Sequence, residues 1–117
     1  MTILLETVTL PKSGAFQIDF SVAGEIVVSA DDARRSVGVY VGTMLADLLH
    51  AEAPILVLKD HGIFWRVPVI LSTASLGRVG AVGAIDVDTQ TGELLLDERN
   101  LHEIDQNAER LAAGAAL

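Results

Sequence analysis

The stretch Ile63-Phe64-Trp65-Arg66-Val67-Pro68-Val69-Ile70-Leu71 decides the fold of this chain. Its side chains alternate between the two faces of a predicted β-strand, and both sets are largely apolar. Such a strand needs cover on both sides, so it belongs in a sheet that packs against other elements. Pro68 has no N–H to donate to a strand ladder, which predicts a sheet edge or a bulge at that point.

The flanking segments predict an α+β domain in which one long helix packs on an antiparallel β-meander. Apolar residues recur at helical spacing after Ser29, the predicted N-cap, and the helix is expected to end before Pro54. Alternation from Phe16 to Val22 predicts a half-buried strand before it. The single domain 1–117 divides into N-terminal strands over 1–28, the helix over 29–53, antiparallel strands over 55–96 and a short C-terminal helix over 100–113.

Two glycines lie four residues apart on one stripe of the predicted helix, at Gly38 and Gly42. Each lowers helix propensity by roughly 1 kcal/mol relative to alanine, so we expect close packing to offset that loss. The packing surface is either a sheet or a second copy of the helix. The strand predicted over 79–87 is rich in small residues, and we expect the stripe to pack there. Gly38 and Gly42 are therefore interface candidates.

Composition excludes several classes of function. The 117 residues are 50% hydrophobic and carry 8 Lys and Arg against 16 Asp and Glu, a net charge of −8, of which −6 falls in residues 86–117. Such a chain repels nucleic acid and anionic membranes. The acidic C-terminal third fits a solvated face or a basic protein partner. With no cysteine, no basic leader and no apolar run of roughly 18–20 residues, we expect a cytoplasmic protein without membrane association.

Two segments are candidates for binding small ligands or ions. Arg78 lies in the glycine-rich run Gly77–Gly83 and is an anion candidate, but these glycines enter a predicted strand rather than a helix N-terminus. Asp86 and Asp88 precede a D-x-x-T-G turn that only partly matches a calcium loop. A hairpin turn is the simpler interpretation. Small-molecule or ion binding at either place is the alternative function, and no cofactor or metal is predicted.

The sequence carries no recognisable catalytic motif. Ser72 or Ser75 could be combined with Asp60 and His61 for hydrolysis, but no G-x-S-x-G elbow is present. The histidines at 50, 61 and 102 lack the spacing of metal ligands. We therefore predict that the protein is not an enzyme and assign no catalytic residue.

Trp65 and Arg66 are the remaining site candidates, because tryptophan and arginine dominate interface hot spots. One hypothesis makes them anchors for a protein partner. The other has Arg66 on the second face of its strand, paired with a nearby acid. The sequence leaves both open.

The chain also resembles known families. The runs Trp65-Arg66-Val67-Pro68-Val69, Gly77-x-x-Gly80-x-x-Gly83 and Ile85-Asp86-Val87-Asp88-x-x-Thr91-Gly92-Glu93 resemble a family of small bacterial proteins with no settled activity. Over about residues 31–96 the chain is similar to PepSY-type domains, which place a helix over an antiparallel sheet and act as inhibitory or binding modules. The strand over 63–71, apolar on both sides, and the small-residue stripe of the helix predict a non-catalytic, homodimeric protein-interaction module. The charge asymmetry adds an antitoxin-like version of this prediction, and the resemblance to PepSY-type domains an inhibitor-like one.

Overall fold

We describe the fold from a computed structural model, which describes residues 2–6, 11–19, 21, 23–59 and 62–115. The elements are β1 (Ile3–Leu5), α1 (Ala30–Met44), β2 (Leu49–Ala51), β3 (Ile55–Lys59), β4 (Gly62–Thr73), β5 (Gly77–Asp88), β6 (Leu94–Leu95) and α2 (Glu98–Gly114). The α+β class is confirmed.

The strands form one sheet in the order β1-β3-β4-β5-β6, and β2 extends the β3 side by pairing with the second half of β4. Among the described strands, every pair is antiparallel except β1 with β3, so the sheet is mixed rather than a purely antiparallel meander. β4 is central: it pairs with β5 on one side and with β2 and β3 on the other.

The position of Pro68 corrects the prediction of an edge strand. Its carbonyl accepts a 3.0 Å hydrogen bond from the backbone N–H of Glu52, in the gap between β2 and β3. Because β2 and β3 are interrupted at this gap, no strand residue requires a hydrogen bond from the backbone nitrogen of position 68. A central strand therefore tolerates proline there. The register of β4 against β5 shifts between Val69 and Ile70, close to Pro68. This shift is the strand irregularity that the proline predicted.

The alternation of β4 gives the sheet two different faces. We call the face that carries Trp65, Val67, Val69 and Leu71 the inner face, and the face that carries Phe64, Arg66, Pro68 and Ile70 the outer face. Both helices cover the inner face. α1 contacts Ala51 and α2 contacts Gly83, and each of these residues pairs with Val69.

The core lies between the inner face and the two helices. α1 contributes Ala33, Val37 and Val41, and α2 contributes Ile104 and Ala108. Each fully buried aliphatic side chain of Val or Ile size stabilises the fold by roughly 1.5–3 kcal/mol. Trp65 belongs to this core, and its indole N–H donates a 2.8 Å hydrogen bond to the carbonyl of Val28, which ties the segment before α1 to the sheet.

α1 begins where the sequence predicts and ends earlier. The hydroxyl of Ser29 accepts a 3.1 Å hydrogen bond from the backbone N–H of Asp32, which caps the helix. The helix predicted to 53 stops at Met44, and residues Leu49–Ala51 form β2. β4 extends beyond β3, and the ladder that β2 forms on this free half outweighs local helix propensity.

The glycine stripe packs on a different strand from the one predicted. A Cβ on Gly38 would lie 3.8 Å from the Cβ of Ala51, and one on Gly42 would lie 3.8 Å from the carbonyl oxygen of Leu49, so both glycines face β2. The small residues of β5 face α2 instead: a Cβ on Gly83 would lie 2.6 Å from Cγ1 of Ile104. The predicted match between the stripe and 79–87 is therefore wrong.

The N-terminal region contains less sheet than predicted. Only Ile3–Leu5 forms a strand among the described residues up to 28. The described residues of the expected strand at 16–22 are exposed and form no ladder, while Phe20 and Val22 lie outside the described residues. Alternation alone does not make a strand, because a ladder also needs an edge on which to pair.

α2 is longer than predicted and closes one edge of the sheet. It begins at Glu98 after its N-cap Asp97, and its 17 residues exceed the 15 of α1. Asn100 Nδ2 donates to the carbonyl of Ala84 at 2.8 Å, and Asn107 Nδ2 donates to that of Val82 at 2.9 Å. These amides satisfy β5 carbonyls that β6 is too short to reach.

We expect Gly83→Ala to destabilise the protein by about 1–3 kcal/mol, because the added methyl would overlap Ile104. Gly42→Ala is the matched control: its methyl meets only an ordinary contact, and the gain in helix propensity should leave stability unchanged or raise it by up to about 1 kcal/mol. Urea unfolding of the two variants measures both effects. Equal losses in both variants would contradict this account of the packing.

Candidate binding site on the outer face

Four charged side chains from four neighbouring strands or strand ends meet on the outer face. They are Glu6, Lys59, Arg66 and Asp86, and we call them the charge network. The registers bring them together. Arg66 and Asp86 are direct cross-strand partners, and Glu6 directly follows β1, which runs parallel to β3 so that Leu5 pairs with Leu58 beside Lys59.

Arg66 is held by two carboxylates at once. Its Nε and one terminal nitrogen donate to the two oxygens of Asp86 at 2.8 and 2.9 Å. Its terminal nitrogens also donate to the two oxygens of Glu6 at 3.0 and 2.9 Å. Both pairs are bidentate, the geometry for which the planar guanidinium is suited.

Asp86 is the most deeply placed member of the network. Its side chain is 8% exposed, and Lys59 Nζ donates to Oδ2, so both of its oxygens are engaged. A carboxylate buried to this degree requires charged partners. No buried side-chain nitrogen or oxygen in the described part of the chain lacks a hydrogen-bond partner.

The network lowers the pKa values of its acids. Burial alone would raise the pKa of Asp86, but hydrogen bonds from Arg66 and Lys59 outweigh it and hold the pKa below its usual range. The hydrogen bonds from Arg66 lower the pKa of Glu6 as well, and the two acids in turn raise the pKa of Arg66. Glu6, Arg66 and Asp86 are therefore charged at neutral pH.

The bond between Glu6 and Arg66 crosses β3, because β3 lies between β1 and β4 in the sheet. The outer-face residue of β3 between these two side chains is Val57, which is completely buried although no helix covers this face. The ion pair thus spans the strand that carries this buried side chain.

A groove of about 980 Å³ adjoins the network toward β6 and the start of α2. Lys59, Arg66 and Asp86 line it together with Leu94–Leu96, and its other charged lining residues are Glu93, Asp97, Arg99 and Glu103. Leu95 and Leu96 expose 40% and 47% of their surface. The groove is thus lined mostly by charged side chains, with two exposed leucines among them.

The candidate interface residues do not form one surface. Trp65 is buried in the core, so it cannot anchor a partner. Gly38 and Gly42 contact β2 within the same chain. Arg66 pairs with acids on the second face of its strand, as one of the two hypotheses stated. Of the four interface candidates, Arg66 is the one that lies on the outer face, where it borders the groove.

The charge of Arg78, the anion candidate, is neutralised by an acid of the same chain. Arg78 forms a bidentate pair with Glu52 at 3.0 and 3.1 Å, and these hydrogen bonds raise the pKa of Arg78 and lower that of Glu52. The run Gly77–Gly83 lies within β5, where Gly80 and Gly83 allow the close approach of Leu111 and Ile104 of α2.

The cation candidate is a turn. Oδ1 of Asp88 accepts hydrogen bonds from the backbone N–H groups of Gln90 at 2.7 Å and Thr91 at 3.1 Å, and Gly92 takes a φ of +78°. Asp86 is committed to Arg66 and Lys59, so the two carboxylates do not converge on a cation. No group of three metal-ligating side chains forms within the described ranges.

The remaining chemical candidates do not assemble. His50 lies exposed on β2 rather than at a helix end, and His102 lies exposed on α2. Asp60 and His61, which the hydrolytic hypothesis needs beside Ser72 or Ser75, lie outside the described residues. In the part of the chain that the structure describes, no helix is long and apolar enough to cross a membrane.

Comparison with known proteins does not assign the chain to a family. No protein-family model, curated protein or solved structure matches the chain. The resemblance to PepSY-type domains therefore stays a prediction, and the function rests on the site itself.

Asp86→Asn should destabilise the protein by about 2–4 kcal/mol at pH 7, because it leaves two half-buried cations short of a counter-charge. The folded pKa of Asp86 lies below the unfolded value of about 3.9, so its contribution is complete above that pH and is lost as the pH falls through the folded pKa. The wild type should therefore lose more stability than Asp86→Asn below about pH 4.

Urea unfolding between pH 7 and pH 2.5 measures this difference. Asp105→Asn, a change at an exposed acid of α2, is the control and should follow the wild-type curve. Parallel curves for the wild type and Asp86→Asn would contradict a stabilising role for the buried carboxylate.

Proposed function

We propose that the protein is a non-catalytic protein-interaction module that docks through the outer face of its sheet. One observation supports this most: both helices lie on the inner face, while the outer face carries a groove flanked by exposed Leu95 and Leu96. Exposed apolar side chains at the rim of a groove are typical of binding surfaces. The finer prediction of an inhibitor-like or antitoxin-like role stays a prediction within this proposal.

The charge network favours binding over catalysis. A general acid or base works best with a pKa near the working pH. The carboxylates of Glu6 and Asp86 have pKa values shifted the other way, and each is fixed by a cation. A network of this kind presents a rigid pattern of charge, which supplies specificity in recognition.

We propose in addition that the isolated chain pairs with a second copy through this face. A two-fold axis at the groove rim would bring the exposed Leu95 and Leu96 of one copy against those of the other, and such an isologous contact closes on itself. The glycine stripe no longer favours a helix–helix dimer, since β2 of the same chain already packs on it.

Leu95→Lys tests the docking face, because Leu95 is exposed and pairs with Asp86 on the outer face. Light scattering at micromolar concentration should give twice the 12.4 kDa chain mass for the wild type and the single mass for Leu95→Lys. Met44→Lys, an equal change at an exposed residue of α1, is the control and should remain dimeric.

A monomeric wild type would overturn the homodimer. The wider proposal is then tested by affinity capture from the native source with Leu95→Lys and Met44→Lys as baits. A partner that docks on the outer face should be lost from the first bait and kept by the second. Equal recovery by both baits would overturn the outer face as the docking surface.

A further inference from the structure

We propose that the edge of β1 that faces away from β3 is a strand-addition site, which takes an extended segment of a partner protein with aliphatic side chains at every second position. In strand addition the segment pairs with β1 through backbone hydrogen bonds and becomes a further strand of the sheet. This site lies at one end of the sheet, apart from the outer-face groove, and does not depend on docking there.

The backbone of β1 offers hydrogen-bonding groups along that edge. The N–H of Glu6 donates to the carbonyl of Leu58 at 3.2 Å, so Leu4 and Glu6 are the residues whose backbone groups point toward β3. The N–H and C=O groups of Ile3 and Leu5 point the other way, because successive residues of a strand alternate in direction. Among the described strands, none pairs with β1 on that side. The edge therefore presents two donors and two acceptors to an added strand.

The other edges of the sheet are capped by groups of the same chain. On β2, Arg34 Nε donates to the carbonyl of Ala51 at 3.0 Å, and the N–H of Leu49 donates to the carbonyl of Ala46 at 3.1 Å. The two asparagines of α2 cap β5 in the same way. Within the described ranges, no side chain caps β1. Its three residues are also all aliphatic, whereas charges or proline usually protect an edge strand.

A cavity of about 520 Å³ lies beside this edge on the inner face, and we call it the aliphatic cavity. Its lining side chains are all leucine or isoleucine, apart from a glycine. The sheet supplies one wall through β1 and β3, and Gly24 and Ile26 supply the facing wall. Leu56 is buried at its base, while Ile3 and Ile26 are 51% and 40% exposed, so the cavity opens beside β1. Water there finds no side chain to hydrogen-bond, which favours an aliphatic occupant.

The edge and the cavity share two residues. Ile3 and Leu5 carry the outward backbone groups, and their side chains line the aliphatic cavity. A residue of an added strand that lies opposite one of them projects its side chain to the same face. Every second side chain of the segment therefore lies beside the cavity. Backbone pairing supplies affinity for an extended segment, and the cavity selects aliphatic side chains at alternate positions.

The described residues of this chain do not supply the occupant. In the segment 11–19 every residue is exposed, including Phe16 and Ile18, and none joins a ladder. A second copy fits less well than a foreign strand. In a pair of β1 strands, Ile3 and Leu5 of each copy would line their own cavity and leave both cavities unfilled. A partner segment with free aliphatic side chains satisfies the edge and the cavity together.

The probe is a soluble peptide in which leucine alternates with threonine between two terminal lysines. We expect saturable binding to the wild type, with the amide resonances of Ile3 and Leu5 shifted and their exchange with solvent slowed. The same peptide with methyl groups on its internal backbone nitrogens cannot pair as a strand and should not bind. A version with serine in place of leucine keeps the charge and should bind at least about fivefold more weakly, because it leaves the cavity empty.

Two variants separate the edge from the cavity. Ile3→Pro removes an outward N–H and leaves the bonds between β1 and β3 in place, so peptide binding should weaken about fivefold or more. Ile26→Lys places a charge at the cavity opening without touching β1, and should weaken binding of the leucine peptide but not of the serine peptide. Leu95→Lys, on the outer face, is the control and should bind the leucine peptide as tightly as the wild type.

No saturable binding of the leucine peptide to the wild type would overturn the site. Equal binding of the N-methylated peptide, or unchanged binding in both Ile3→Pro and Ile26→Lys, would overturn it as well. Concentration-dependent shifts of the Ile3 and Leu5 amides without peptide would assign the edge to a second copy and overturn a partner strand. Loss of peptide binding in Leu95→Lys would place the peptide on the outer face instead, so failure here is distinguishable from failure of the proposed function.

Discussion

The strict alternation of β4 governs the rest of the molecule. Every second residue from Trp65 to Leu71 points to the inner face and is buried there, so the helices must gather on that face. The residues between them point to the outer face, which receives no helix. One strand therefore fixes both where the core lies and which face meets solvent.

The outer face is not simply a bare apolar surface. Arg66 brings a charge into it, and that charge is balanced by Asp86 from β5 and by Glu6 beside β1. The resulting ion pairs link Glu6 beside the edge strand β1 to the central strand β4 and to β5. Ion pairs therefore hold the strands of this face together, where no helix packs.

Local patterns predicted the local elements well. The alternation of 63–71, the cap at Ser29 and the D-x-x-T-G turn all appear as the sequence indicated. The end of α1 was missed because β2 forms only on the free half of β4, a condition that lies outside the segment itself. The strand expected over 16–22 failed for the opposite reason: in the described part of that segment, no neighbouring edge pairs with it.

The site was predictable only in part. Once 63–71 and 79–87 are taken as a hairpin, the alternation of both strands places Arg66 and Asp86 on one face. Glu6 could not be found in this way, because its position depends on the parallel pairing of β1 with β3, across some fifty residues of intervening chain. Lys59 is the last residue of β3, and its place in the network follows from where that strand ends.

The two asparagines of α2 have a consequence for behaviour at high concentration. An open strand edge invites the same strand of a neighbouring molecule, and unlimited addition of this kind leads to fibres. Along β5 the carbonyls of Val82 and Ala84 are already taken by amides, so a foreign strand would find no acceptors at those two residues. This flank of the molecule is thereby protected against edge-to-edge polymerisation.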